Sequence, residues 1–193
     1  MAEFLPLLGF IFVGLFSPGP NVILLATSGA RFGYRASLPH IFGVAIGVGV
    51  TAGLTGFGVG ALLNAVPTLT FVLKCGAALW IGWMAYRLWT ADPVAADAQG
   101  RPFTFLEAVL FQWINPKVWA VALSAMAYLP DMSLGSQAMT LAVAFSVINL
   151  GVCNFWTYAG ALLSYLLGNA AAWRLFMRIM AIALAGFSVL VFL

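Results

Sequence analysis

Charged side chains are missing from three long runs of this chain: Phe4 to Ala30, Ala36 to Leu73, and Met132 to Trp173. One bilayer crossing takes about 20 consecutive apolar residues. The first run holds one crossing, and each of the others holds two or most of two. Turn-forming clusters divide the chain further. They are Arg31-Phe-Gly-Tyr-Arg35, Asn64-Ala-Val-Pro67, the polar stretch Asp92 to Pro102, Pro130 to Gly135, and Gly168-Asn169. Six helices are therefore predicted, at about 4–29, 38–63, 69–89, 103–129, 136–166 and 171–193. Only Asp92 to Pro102 reads as a true loop. The expected architecture is an all-α integral membrane protein, a single transmembrane domain over residues 1–193.

Composition agrees with the pattern. Of the 193 residues, 64% are hydrophobic and 7% charged, against about 25% charged in soluble domains. The net charge of +3 comes from basic residues spread along helix ends, so no nucleic acid partner is expected. The stretch from Phe4 lacks a basic region before it and is long for a signal peptide, so it is read as a permanent first helix. Cys75 and Cys153 lie in apolar runs with no CxxC or metal-ligand spacing. They read as small packing residues, and neither a metal nor a cofactor is expected.

The basic residues also orient the chain. Arg31, Arg35, Arg87, Arg101, Arg174 and Arg178 all lie near the first, third and fifth connections. The opposite side has only Lys74, several residues inside predicted helix 3, and the acids Glu3 and Asp131. The Arg-bearing connections are expected in the cytoplasm and both termini outside, in a multi-pass protein of the cytoplasmic (inner) membrane.

The two halves resemble each other in spacing. Pro18 in predicted helix 1 and Pro116 in predicted helix 4 are 98 positions apart, as are Gly53 and Gly151 and the starts of predicted helices 2 and 5. A three-helix unit used twice enters the membrane from opposite sides. The expected fold is thus six transmembrane helices as two inverted three-helix repeats, about 1–92 and 100–193, with broken helices 1 and 4.

Both breaks are written in prolines. Ser17-Pro18-Gly19-Pro20-Asn21 interrupts helix 1, and Gln112-Trp113-Ile114-Asn115-Pro116-Lys117 interrupts helix 4. Each proline removes an amide donor and displaces the carbonyl four residues back. In lipid those carbonyls need other partners, for which Ser17 and Asn21 are suited. Lys117 sets a cation near the midplane, at a cost of about 2.5–3.5 kcal/mol on insertion scales, with no nearby carboxylate in sequence. A kink that only shapes packing and a binding site both fit a single break. Two breaks at matching positions favour a site, with Ser17, Pro18, Gly19, Pro20, Asn21, Gln112, Asn115, Pro116 and Lys117 as candidate substrate-binding residues. Asn149, near the middle of predicted helix 5, joins them as either interhelix glue or a substrate contact.

Phe16-Ser-Pro-Gly-Pro-Asn21 followed by Asn115-Pro-Lys117 in a six-helix chain of this length resembles the LysE/RhtB family of amino-acid exporters. That resemblance implies an inner-membrane secondary transporter that exports amino acids or their derivatives on an ion gradient. Some family members carry an acid in the glycine-rich second helix. Here Phe42-Gly-Val-Ala-Ile-Gly-Val-Gly-Val-Thr51 has none, so proton coupling through such an acid does not carry over. The Gln112-Trp113 pair is similar to the cysteine and O-acetylserine branch.

Glycines at 43 and 47, 49 and 53, and 56 and 60 are expected to pack helices closely, with a homodimer or a path lining left open. His40 reads as interfacial, with a proton-relay role as the alternative, Glu107 as an interfacial carboxylate, and Lys74 as a lysine that snorkels outward. Most of the seven tryptophans read as interface anchors or packing. The expected partners are a small amphoteric solute and the bilayer. An intramembrane enzyme is disfavoured by the lack of any nucleophile–base pair around the one histidine. A structural or assembly subunit without transport activity is the remaining alternative. Reporter fusions after Leu193 should read periplasmic and fusions near Ala96 cytoplasmic; the reverse pair would overturn the orientation and the repeat registration together.

Overall fold

The structure is a computed structural model that describes residues 4–59, 65–90, 100–166 and 169–190. Its helices are α1 (Leu5–Phe16), α2 (Pro20–Ala36), α3 (Leu38–Gly56), α4 (Pro67–Trp89), α5 (Phe105–Ile114), α6 (Pro116–Ala125), α7 (Leu134–Leu166) and α8 (Ala170–Leu190), with a 3-10 turn at Met126–Tyr128. No strand occurs among the described residues. By length and apolar character α3, α7 and α8 can each cross a membrane, and α1 with α2 makes a fourth crossing if the pair counts as one bent span.

Prolines decide where helices start. Pro20, Pro67 and Pro116 each stand at a first helical position, where a missing amide costs nothing, and Pro6 and Pro39 stand at second ones. Predicted helix 1 is broken as expected, and α1 and α2 meet at 57°. The turn expected at Arg31 to Arg35 is a kink inside α2 at Gly33, whose φ of 80° suits glycine. The Ser37 hydroxyl caps that kink by donating to the Gly33 carbonyl. Predicted helix 4 is broken at Asn115, between α5 and α6. The α5 start is a capping box: the Thr104 hydroxyl accepts from the Glu107 amide while the Glu107 carboxylate accepts from the Thr104 amide. Inside predicted helix 2, α3 ends at Gly56 in a turn through Phe57 and Gly58, whose φ is 94°. Residues 60–64, most of the 92–102 loop, and Gly168 lie outside the described residues.

Two apolar cores form. One joins α1, α3, α6 and α7 around Ile11, Ile41, Val48, Val118, Leu141 and Phe145; the other joins α4 and α8 around Ile81, Met84, Met177 and Leu184. Helices α2 and α5 contribute to both, through Leu25 and Ala108 to the first and Ile23, Leu24 and Phe111 to the second. Outward-facing apolar side chains such as Val13, Leu79, Val147 and Ile182 remain exposed, as lipid contact requires.

Small residues set the distances. Gly43 and Gly47 bring α3 onto α5, while Gly49, Gly53 and Gly56 bring it onto α7. Gly29 of α2 and Gly160 of α7 face each other's backbones: a methyl at Gly160 would fall 1.9 Å from the Ala26 carbonyl oxygen, and one at Gly29 2.0 Å from that of Thr157. These atoms are backbone and cannot swing aside. Gly160→Ala should therefore lower stability by about 1–3 kcal/mol in thermal unfolding of the detergent-solubilised protein. Gly151→Ala on the same helix, with open space around the added methyl, should be neutral or slightly stabilising. Equal effects of the two changes would discount the close crossing.

Candidate functional site

The residue before a proline is pushed into extended backbone. Ser17 (ψ 147°), Gly19 (φ 179°, ψ 177°) and Asn115 (ψ 101°) obey that rule, and each ends or interrupts a helix. The freed carbonyls find different partners. Ser17 Oγ donates to the Gly14 carbonyl at 2.9 Å, in place of the amide that Pro18 lacks. The Asn115 amide donates to the Gln112 carbonyl at 3.3 Å, in place of the amide that Pro116 lacks.

Lys117 crosses from one break to the other. Its ammonium donates to the Ser17 carbonyl at 2.5 Å, to Ser17 Oγ at 2.9 Å and to the Pro18 carbonyl at 3.0 Å. An ammonium has three N–H groups, and protein oxygens take all of them. The lysine stands in the first turn of α6, at the positive end of a helix, where a cation is disfavoured. Its ammonium is compensated by the negative, C-terminal end of α1. Gly19 makes room for this reach: a methyl there would lie 2.8 Å from Lys117 Cδ.

The amides add a second bridge. Asn21 Nδ2 donates to Gln112 Oε1 at 2.8 Å, and Gln112 Nε2 returns the bond to Asn21 Oδ1 at 3.2 Å and to the Ala108 carbonyl at 2.8 Å. Asn21, expected to serve its own helix, thus pairs across 91 residues. Nothing in a single sequence pairs these two positions.

Between the breaks lies a small cavity of about 20 Å³, lined by Gly19, Asn21, Asn115, Lys117 and Asn149 among others. Asn115 is 1% exposed and Asn149 3%. Asn115 Oδ1 and Asn149 Nδ2 are buried with no hydrogen-bond partner. One accepts, the other donates, and each orphaned group carries a desolvation penalty of about 1–3 kcal/mol. Pro20, Pro116 and Lys117 also line a wider opening that Lys74 and Phe187 share. Lys74 is half-buried at that opening beside Lys117.

All ten candidate positions sit at the two breaks or on this cavity. Pro18 is exposed and contributes its carbonyl, while Asn154 of α7 is packing: it accepts from the Tyr34 hydroxyl and donates to the Leu150 carbonyl. The sequence reading missed His40. Expected at the interface, it is 2% exposed and neither ring nitrogen has a partner. Among the described residues no group of His, Cys, Asp and Glu could hold a metal, and the single ion pair, Arg101–Glu107 at 2.6 Å, lies away from the cavity.

A double-mutant cycle of Asn21→Ala and Gln112→Ala should give a coupling of about 0.5–3 kcal/mol in unfolding experiments. Strict additivity would mean that the two amides do not hold the breaks together.

Comparison with known proteins gives this geometry its context. The family model for the LysE type translocator matches residues 12–193. A homoserine/homoserine lactone efflux protein of Salmonella typhimurium is 28% identical over 143 residues, 70% of this chain and 69% of that protein. A cysteine/O-acetylserine efflux protein of Escherichia coli K12 is 27% identical over 153 residues, 76% of each chain. No solved structure matches this chain. With nearly its whole length matched by the family model, and with the proline breaks and the lysine standing where the motifs predict, the chain belongs to the LysE type translocators, which are membrane transporters and not enzymes.

Proposed function

We propose that this protein exports small amino acids or amino-acid derivatives across the cytoplasmic membrane, binding them between its two helix breaks and releasing them outside by alternating access. One observation carries the reading. A buried acceptor, Asn115 Oδ1, and a buried donor, Asn149 Nδ2, both without partners, belong to residues that line one cavity with Lys117. An amino acid offers the matching set: an ammonium for the Asn115 oxygen and a carboxylate for the Asn149 amide and Lys117. Neither α2 nor α6 begins with a side-chain cap, so both positive helix ends remain available to a carboxylate. The efflux proteins of homoserine and of cysteine and O-acetylserine among its relatives support solutes with short polar side chains.

Loading then requires movement. A cavity of about 20 Å³ admits little more than a water molecule. A substrate carboxylate competes with the Ser17 and Pro18 carbonyls for Lys117, which loosens the α1 break as the solute enters. The packing supports two inverted repeats of six spans. The bent pair α1–α2 lies on α7 as the interrupted pair α5–α6 lies on α3, while α3 pairs with α7 and α4 with α8. The termini then face outward and the arginine-rich connections the cytoplasm. A homodimer is compatible with this arrangement and not required by it.

Flux from proteoliposomes loaded with homoserine, cysteine or O-acetylserine tests the site. Lys117→Met should insert and fold but lose export, and Lys117→Arg should be partly impaired, because a planar fork does not reproduce a point charge. Asn149→Leu is the more discriminating change. Removing an unpartnered buried amide should leave thermal stability unchanged or raise it, while export falls at least about tenfold, the loss expected for a hydrogen bond to a charged group. Wild-type flux in well-expressed Asn149→Leu and Lys117→Met proteins would rule out this binding site.

A further inference from the structure

A second cavity, about 90 Å³, lies at the arginine-rich end. Thr27, Ser28, Arg31, His40, Arg87 and Arg101 line it. Residues 24, 27, 28 and 31 recur on one face of α2, so the helix that starts at the first break also forms this wall. From Asn21 to Arg31 is about 15 Å along the axis at 1.5 Å per residue.

The cavity wall is cationic and underused. Arg31 lies over the Phe32 ring at 5.0 Å, and its buried Nε has no hydrogen-bond partner. The His40 imidazole packs against Phe103 at 5.1 Å, is 2% exposed, and leaves both nitrogens unpartnered. Arg87 lies over Trp83 at 5.2 Å. Among the described residues only Arg101 has an acid, donating to both oxygens of Glu107 at 2.6 Å. The two hydroxyls are occupied, Thr27 with its own helix carbonyls and Ser28 with Ser37. The free donors at this cavity thus belong to a guanidinium and an imidazole, with two further guanidinium groups beside them. A cation would be repelled here, and a neutral solute would leave the charge unanswered. An oxyanion matches the flat N–H edge of Arg31 and an imidazole N–H together.

We propose that this cavity is an anion-binding site, distinct from the cavity between the breaks, for a carboxylate or phosphate group. Two sources carry that chemistry: a small soluble molecule and the headgroup of an anionic lipid. The site does not depend on the function proposed for the central cavity.

Thermal unfolding of the full chain in a neutral maltoside detergent tests it. Sodium acetate and sodium phosphate are titrated against sodium chloride at matched ionic strength, and phosphatidylglycerol is added to the micelles in a separate series. The midpoint of the wild type is expected to rise saturably with acetate or phosphate, which assigns the site to soluble anions. A rise with phosphatidylglycerol alone assigns it to a lipid headgroup. In either case Arg31→Gln and His40→Gln should weaken the effect at least about tenfold in apparent affinity, and Lys117→Met should retain it. Arg87→Gln, an exposed change that spares the packing, should weaken it too and serves if the Arg31 variant does not fold. No rise with any of the three probes would overturn the site. So would an effect that survives the Arg31, His40 and Arg87 changes, or one lost only in Lys117→Met, which would assign the anion to the central cavity.

Discussion

The structure turns on one obligation: carbonyls left open where an apolar helix is interrupted must be given donors, because lipid offers none. At the α1 break the donor is the Lys117 ammonium, which bonds the Ser17 and Pro18 carbonyls. The lysine is itself a liability in the membrane, and the carbonyls are what make it tolerable. Each defect solves the other. That mutual need holds the start of α6 against the end of α1, and so brings together two breaks nearly 100 residues apart. The reciprocal Asn21–Gln112 amide pair then locks their register.

Elsewhere several buried hydroxyls are satisfied locally. Thr27, Thr51 and Thr55 donate back to carbonyls of their own helices. Against that habit, the orphaned atoms of Asn115, Asn149, Arg31 and His40 stand out, since all four residues line one of two cavities. The orphaned atoms of Trp156 and Thr157, both on α7, line neither cavity. An unpartnered polar atom in lipid carries a cost. Where several converge on a cavity with a cation, binding of a polar solute is the physical reason to retain them.

Close helix packing is what allows so small a protein to surround a polar site. Glycine lets α3 lie against both α5 and α7, and α2 against α7, at backbone contact. Helix α2 gains most from this. It begins at the first break, contributes to both apolar cores and ends beside the arginine-rich cavity. A shift of α2 would therefore be felt at both cavities.

Much of this was legible in the residues alone. Hydrophobic runs marked the helices, because burial in lipid demands about 20 apolar residues whatever the neighbours are. Prolines marked the breaks and extended backbone at Ser17, Gly19 and Asn115, because the ring acts locally, on the preceding residue and on the carbonyl four residues back. The absence of an acid near Lys117 marked it as an unusual charge. Other features depended on which helices meet. That Lys117 answers the α1 carbonyls, that Asn21 pairs with Gln112 rather than its own helix, and that Asn149 with its unpartnered amide lines the same cavity follow from packing across long sequence separations. His40 shows the limit most clearly. Its place at the start of a helix, after Pro39, read as interfacial, but α2 and the segment carrying Phe103 close over it and bury the ring. Local chemistry determined where the chain bends and what it cannot leave unsatisfied; only the tertiary structure decided which distant group would answer, because that partner is chosen by proximity in space.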